Sequence, residues 1–104
     1  PTGPWLVTPD EVGDPQNLDL WLEVDGKCYQ KGNTGTMIYG VAHLIHYLSQ
    51  FFTLHSGDVI STGTPPGVGM GQKPEPIYLS VGQTIRLGIK KLGTQTQNLV
   101  AEKY

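Results

Sequence analysis

The first regular pattern along the chain is an alternation. Leu18, Leu20, Leu22 and Val24 are separated by Asp19, Trp21 and Glu23, the period of two expected of a strand that buries one face. Asp25-Gly26 follows at once, and then Lys27-Cys28-Tyr29-Gln30. Asp-Gly between two extended runs predicts a hairpin, because both central residues of the tight turn need positive φ. Upstream, Trp5-Leu6-Val7-Thr8 reads as a short strand ended by Pro9, and Asp14-Pro15 marks a turn.

The period then changes. From Met37 to Phe52, Ile38, Val41, Ala42, Ile45, Leu48 and Phe52 recur at helical spacing, with Met37, Leu44 and Phe51 beside them. This predicts one helix over about residues 37–52, with Thr34 or Thr36 as N-cap and an end before His55. Asp58 to Thr62 reads as a strand running into a glycine-rich loop, Gly63 to Gly71. Thr84 to Ile89 and Thr96 to Val100 read as two more strands, with a turn at Gly93. Strands, one helix, then strands again describe a β-rich α+β fold with a single main helix packed on the sheet. There is no internal repeat and no interior linker, so the chain is one unit or the end of one.

Composition narrows the function classes. A chain of 104 residues, 38% hydrophobic, has room for one modest core. No run approaches the length of a membrane span, and a net charge of −2 without a basic cluster argues against nucleic acid as a partner. The chain opens Pro1-Thr2-Gly3, without the pattern of a signal peptide. Cys28 is the single cysteine, which fits a reducing compartment. The expected location is cytoplasmic.

The segment with the most chemistry is Ser61-Thr62-Gly63-Thr64-Pro65-Pro66-Gly67-Val68-Gly69. A loop that leaves a strand through Gly-Thr and a rigid Pro pair holds a hydroxyl and backbone N–H groups in fixed directions. It can cradle a carboxylate or an enolate oxygen, or serve simply as a wide surface loop. It lacks the Gly-Lys-Ser/Thr of a phosphate loop. His43 and His46 are three apart, a spacing that can bring two imidazoles to one metal ion. They fall away from the apolar stripe with Tyr47 and Gln50, so a solvated face accounts for them, and His55 has no assigned role. Asp25 belongs to its turn, and Asp58 is placed to bond local backbone N–H groups. No carboxylate pair has the spacing of a cation site. Cys28 reads as a packed thiol rather than a nucleophile.

Taken in order, these segments resemble the carboxy-terminal half of a fumarylacetoacetate hydrolase family domain. Gly3-Pro4-Trp5-Leu6-Val7-Thr8, Val24-Asp25-Gly26 with Gln30 and Gly32-Asn33-Thr34, Met37-Ile38-Tyr39 and Leu54-His55-Ser56-Gly57-Asp58-Val59-Ile60 follow one another as in that family. The hallmark Gly63-Thr64-Pro65-Pro66-Gly67-Val68-Gly69 loop and the Val81-Gly82-Gln83 turn complete the series. Asp25, Ser56 and Gln83 depart from the usual Asn, Pro and Asp. The resemblance implies a mixed β-sandwich or roll, of which residues 1–104 form the carboxy-terminal portion of a single catalytic domain.

The resemblance also implies chemistry on a small keto-acid or β-diketo-acid: C–C bond hydrolysis, decarboxylation, enol-acid isomerisation or lyase cleavage through a metal-stabilised enolate. Thr64 and Gly63 are the implied substrate-binding residues. The implied cofactor is a divalent cation, magnesium or manganese, whose carboxylate ligands lie upstream of the Gly3-Pro4-Trp5 segment in the family. A histidine–glutamate pair and a lysine lie there too, so this chain carries no catalytic or metal-ligating residue and is expected to be inactive alone. The implied partners are the keto-acid, a second copy in a homodimer, or the missing amino-terminal half. The competing expectation is a truncated, non-catalytic module that self-associates or binds a small ligand.

Overall fold

The computed structural model describes residues 1–102. The alternating segment forms β1 (Asp19–Val24), and β2 (Lys27–Asn33) returns antiparallel to it. Asp25 and Gly26 both have positive φ, 48° and 79°, as the tight turn requires. The turn is tied to a distant strand. Asp25 Oδ1 accepts from Thr84 N at 2.9 Å, and Asp25 N donates to Thr84 O at 2.9 Å.

Thr84 opens β3 (Thr84–Ile89), which pairs antiparallel with β1 on its other side and with β4 (Gly93–Asn98) beyond. The sheet order is β2-β1-β3-β4. Its register places Leu20, Leu22 and Val24 opposite Ile89, Leu87 and Ile85. Residues directly opposite in a ladder share a face, so these six make one apolar face. Trp21 and Glu23 share the other face with Gly88 and Arg86. There Glu23 and Arg86 form a 2.9 Å ion pair, and the Arg86 guanidinium lies 5.9 Å from the Trp21 ring centroid. With the Arg86 side chain 57% exposed, the pair contributes at most about 1 kcal/mol.

The β1–β2 register shifts between Leu22 and Glu23, which oppose Gln30 and Cys28. Tyr29 is therefore the extra residue of a β-bulge. The bulge puts Gln30 on the apolar face beside Leu22. It leaves Cys28 exposed, with its sulfur 3.4 Å from Gln30 O. The expected packed thiol is corrected accordingly: Cys28 sits near the turn on an edge strand, where nothing covers it.

Several elements differ from the sequence reading. Residues 5–8 join no ladder, and Pro9 begins the one-turn helix α1 (Pro9–Val12), since the first helical position needs no N–H. Hydrogen bonding from the Thr8 side chain holds the Asp10 carboxyl below its usual pKa. Residues 58–62 are also unpaired, and Asp58 instead closes a local turn by accepting from His55 N at 2.7 Å. The strand expected at Thr96 starts at Gly93, after a Lys90–Leu92 turn in which Lys91 takes φ 68°.

The main helix, α2, runs from Val41 to Ser49 rather than over 37–52. Its N-cap is Gly40, and neither Thr34 nor Thr36 caps it. Both threonines lie in a 3-10 turn, where Thr34 Oγ1 accepts from Leu18 N at 2.9 Å. The free N–H of Val41 is taken by Gln16 Oε1, whose Nε2 donates to Thr34 O at 2.9 Å. The helix makes little contact with any strand, which corrects the expectation of a helix packed on the sheet. The buried hydrophobic residues are Leu18 and Val24, while Ile38 is 92% and Phe51 68% exposed. Among the described residues no helix is long and apolar enough to cross a membrane.

Asp25→Ala is expected to destabilise the protein by about 1–2 kcal/mol in urea unfolding, through loss of one hydrogen bond and of a residue tolerant of positive φ. Asp25→Asn, which keeps both an acceptor and the tolerance, should stay within about 0.5 kcal/mol of wild type.

Candidate functional site

The apolar face of the sheet is covered unevenly, and two cavities lie along it. The larger, about 560 Å3, has Leu20 and Ile89 on the sheet side. The segment from Thr62 to Pro66 lines it on one side, and Asn33 to Tyr39 with Leu44 on another. The smaller, about 220 Å3, is lined by Leu22, Val24 and Ile85 together with Gln30, Val68 and the Ile77–Leu79 segment. Among the described residues, neither lining contains a charged side chain or a histidine. An anion held in the larger cavity would be held by dipoles: hydroxyls, backbone N–H groups and amides.

The loop between the cavities is fixed to β2 at three points. Gln30, 9% exposed, donates from Nε2 to Thr64 Oγ1 at 2.7 Å and to Pro65 O at 2.8 Å. Gly32 lies under Pro65, so that a Cβ added there would stand 3.1 Å from the proline Cβ. Gly67 crosses the Tyr29 carbonyl so closely that a Cβ would collide with it, and its φ of 115° is one that L side chains avoid. Gln72 Nε2 then donates to Gly67 O at 2.9 Å. The loop is thereby held against β2.

Thr64 and Gly63, the residues singled out from the sequence, both line the larger cavity. Gly63 has φ 91°, yet a Cβ there would meet no atom within 4 Å. Within the protein its glycine is needed for backbone conformation, and the close approach falls on Gly67. The consecutive Pro65 and Pro66 carry no N–H, so the loop offers fewer backbone donors than its glycine content suggests. The Thr64 hydroxyl is the side-chain donor at this point. Gln30, which the sequence reading placed in a motif without a role, is the residue that holds it. Its signal was faint: a polar side chain on an edge strand, turned onto the apolar face only by the bulge.

No histidine or carboxylate lines this cavity among the described residues, although Asp19 accepts from the lining residue Asn33 at 2.8 Å. His43 stacks between Tyr39 and Tyr47 on the exposed side of α2, with ring centroids 4.9 and 6.3 Å away. His46 is exposed on the same helix, and His55 belongs to the turn closed by Asp58. Among the described residues no group of three or more His, Cys, Asp or Glu could hold a metal ion. At the far end of the sheet, Gln83 Oε1 accepts from Ser80 N at 2.7 Å and closes the Val81-Gly82 turn, so the Gln83 side chain is the acceptor that fixes this turn.

Residues 1–100 match the family model described as "Fumarylacetoacetate (FAA) hydrolase C-terminal". The chain belongs to the fumarylacetoacetate hydrolase family. It spans about a third of the length of the curated relatives it matches; one from Burkholderia multivorans, carrying the name "Putative hydrolase", is 69% identical over 97 residues, which make up 93% of this chain and 34% of that protein. Fumarylacetoacetate hydrolase from the psychrophilic Exiguobacterium antarcticum is 39% identical with a TM-score of 0.92, covering 98% of this chain and 36% of its own. Maleylpyruvate hydrolase from a Sphingobium species, in complex with manganese(II) and pyruvate, is 38% identical with a TM-score of 0.83, covering 94% and 34%. The four-stranded antiparallel sheet and its loops thus form part of the family's larger fold.

Gly67→Ala is expected to lower stability by more than about 2 kcal/mol and to detach the loop from β2, since backbone clash and disfavoured φ act together. Gly63→Ala, which meets only the conformational penalty, should cost about 1–2 kcal/mol. Urea unfolding with hydrogen exchange at Tyr29 to Lys31 checks both.

Proposed function

We propose that residues 1–104 form the carboxy-terminal portion of a single catalytic domain that acts on a small keto-acid or β-diketo-acid. The reaction is C–C bond hydrolysis, decarboxylation or enol-acid isomerisation. The part of this chain is to hold the substrate carboxylate, with the Thr64 hydroxyl as donor and Gly63 giving the loop its path. The observation that carries this reading is the anchored Thr64 hydroxyl in an uncharged cavity on the sheet face. Pyruvate in the maleylpyruvate hydrolase complex supports a keto-acid as the ligand class.

A divalent cation, magnesium or manganese, belongs to the same proposal for the whole enzyme. The residues of this chain do not fit its site, because the cavity lining has no carboxylate, imidazole or thiolate and the described residues hold no cluster of such groups. Its ligands would come from outside this chain, and no chemical step of these residues is assigned to it. The working form of the enzyme is proposed to be a homodimer.

Thr64→Val in the full-length protein is expected to lower kcat/KM for a keto-acid substrate about 10- to 150-fold, the effect of losing one hydrogen bond to a charged group. Thr64→Ser should keep most of it. An unchanged kcat/KM in the valine variant overturns the assignment.

A second reading is favoured by the apolar surface. Leu6, Ile38 and Val59 are 102%, 92% and 83% exposed, and apolar side chains left in water favour association that removes them from it. On this reading the isolated 104-residue chain is a non-catalytic, self-associating module. It would sediment as an oligomer in analytical ultracentrifugation, whereas a monodisperse monomer rules this reading out.

A further inference from the structure

The hydrogen bonds around Gln30 determine which way the Thr64 hydroxyl can face. The Gln30 carboxamide has one atom within 2.8 Å of the Pro65 carbonyl oxygen and 2.7 Å of Thr64 Oγ1. A carbonyl oxygen only accepts, so that atom is the NH2 nitrogen. Its two hydrogens go one to each neighbour, and Thr64 Oγ1 is therefore an acceptor in this bond. A hydroxyl has one hydrogen and two lone pairs. With a lone pair committed to Gln30, the Thr64 proton is left for a different partner.

Within the protein that partner is Pro65 O, at 3.2 Å. This is long for an O–H···O bond, and the same oxygen already accepts from Gln30. An anion entering the larger cavity is a better acceptor than this carbonyl. Among the described residues no charged side chain lines either cavity, and the titratable lining residues are Tyr29, Tyr39 and Tyr78. The charged or titratable groups that touch the linings are Asp19, whose Oδ1 accepts from Asn33 Nδ2 at 2.8 Å, Lys27, whose ammonium lies 5.0 Å from the Tyr29 ring centroid, and His43, stacked on Tyr39.

We infer that Gln30 is a positioning residue that keeps the Thr64 hydroxyl a hydrogen-bond donor toward a ligand carboxylate, an inference that rests on the function proposed for Thr64 above. The bond to Pro65 O alone would anchor the loop. The bond to Thr64 adds the sense of the proton. Gln30 reaches the loop from the smaller cavity and Thr64 faces the larger, so Gln30 acts through the threonine.

The test is titration of pyruvate into the full-length protein and its Gln30→Met and Gln30→Glu variants, from mildly acidic to neutral pH. Nuclear magnetic resonance of the Gln30 side-chain amide in the wild type accompanies it. Gln30→Met should weaken pyruvate binding about tenfold, because Thr64 then loses the donor that orients it. Gln30→Glu should weaken it further at neutral pH, where the carboxylate accepts the Thr64 proton and repels the ligand. Burial raises the pKa of the introduced carboxyl. On acidification its neutral form can donate to Thr64 again, so affinity relative to wild type should recover in part. Unchanged binding in the methionine variant, or equal loss at every pH in the glutamate variant, overturns the inference. If Thr64→Val leaves pyruvate binding intact, the proposed role of Thr64 fails, and the Gln30 amide then decides by itself. Two exchange-protected NH2 resonances, one of them displaced by Thr64→Val, support the oriented bond, and freely exchanging resonances overturn it.

Discussion

Strand β1 is hydrogen-bonded on both sides, to the neighbouring β2 and to β3 from the far end of the chain. The rest of the structure depends on that double pairing. Leu18 and Val24 are the buried hydrophobic residues, so apolar burial within this chain is slight. The ladder and its register organise the molecule instead. A slip of one residue would send Leu20, Leu22 and Val24 to the wrong face. The two bonds between Asp25 and Thr84 oppose such a slip, because they join the hairpin turn to the first residue of β3.

The candidate site is a consequence of how the glycine-rich loop is held against β2. The Gly63–Val68 segment is fixed there by the Gln30 amide, the proline over Gly32 and the crossing at Gly67. A hydroxyl mounted on a loop fixed in this way has little freedom, which a binding group needs if it is to recognise a carboxylate without a formal charge. The β-bulge at Tyr29 is what turns Gln30 to the loop side. An edge irregularity and a cavity-lining hydroxyl are thus parts of one arrangement. It lies within a third of the length of the relatives that share the fold, consistent with a site completed by residues outside this chain.

Much of the sheet was legible because its signals are local. The period of two in β1, the Asp25-Gly26 turn and the β3 segment each depend on residues close in sequence. The hallmark loop was legible as a motif, and it carried both the family and the interest in Thr64. What failed were elements whose status depends on a distant partner. Trp5 to Thr8 and Asp58 to Thr62 have strand-like composition, but no ladder receives them. The helical stripe continues on both sides of α2, yet Gly40 and the bond from Val41 N to Gln16 set its start.

By itself, then, the sequence determined the extended segments of β1 and β3, the turn between β1 and β2 with its two positive-φ residues, and membership of the fumarylacetoacetate hydrolase family. These rest on local steric preference and on motifs read in order. The tertiary structure decided which extended segments became strands, where the helix begins, which glycine makes a close approach, and that Gln30 rather than any charged residue holds Thr64. Each of those outcomes is a contact between residues far apart in the chain, and local preference contains no information about which distant group will be there to accept or donate.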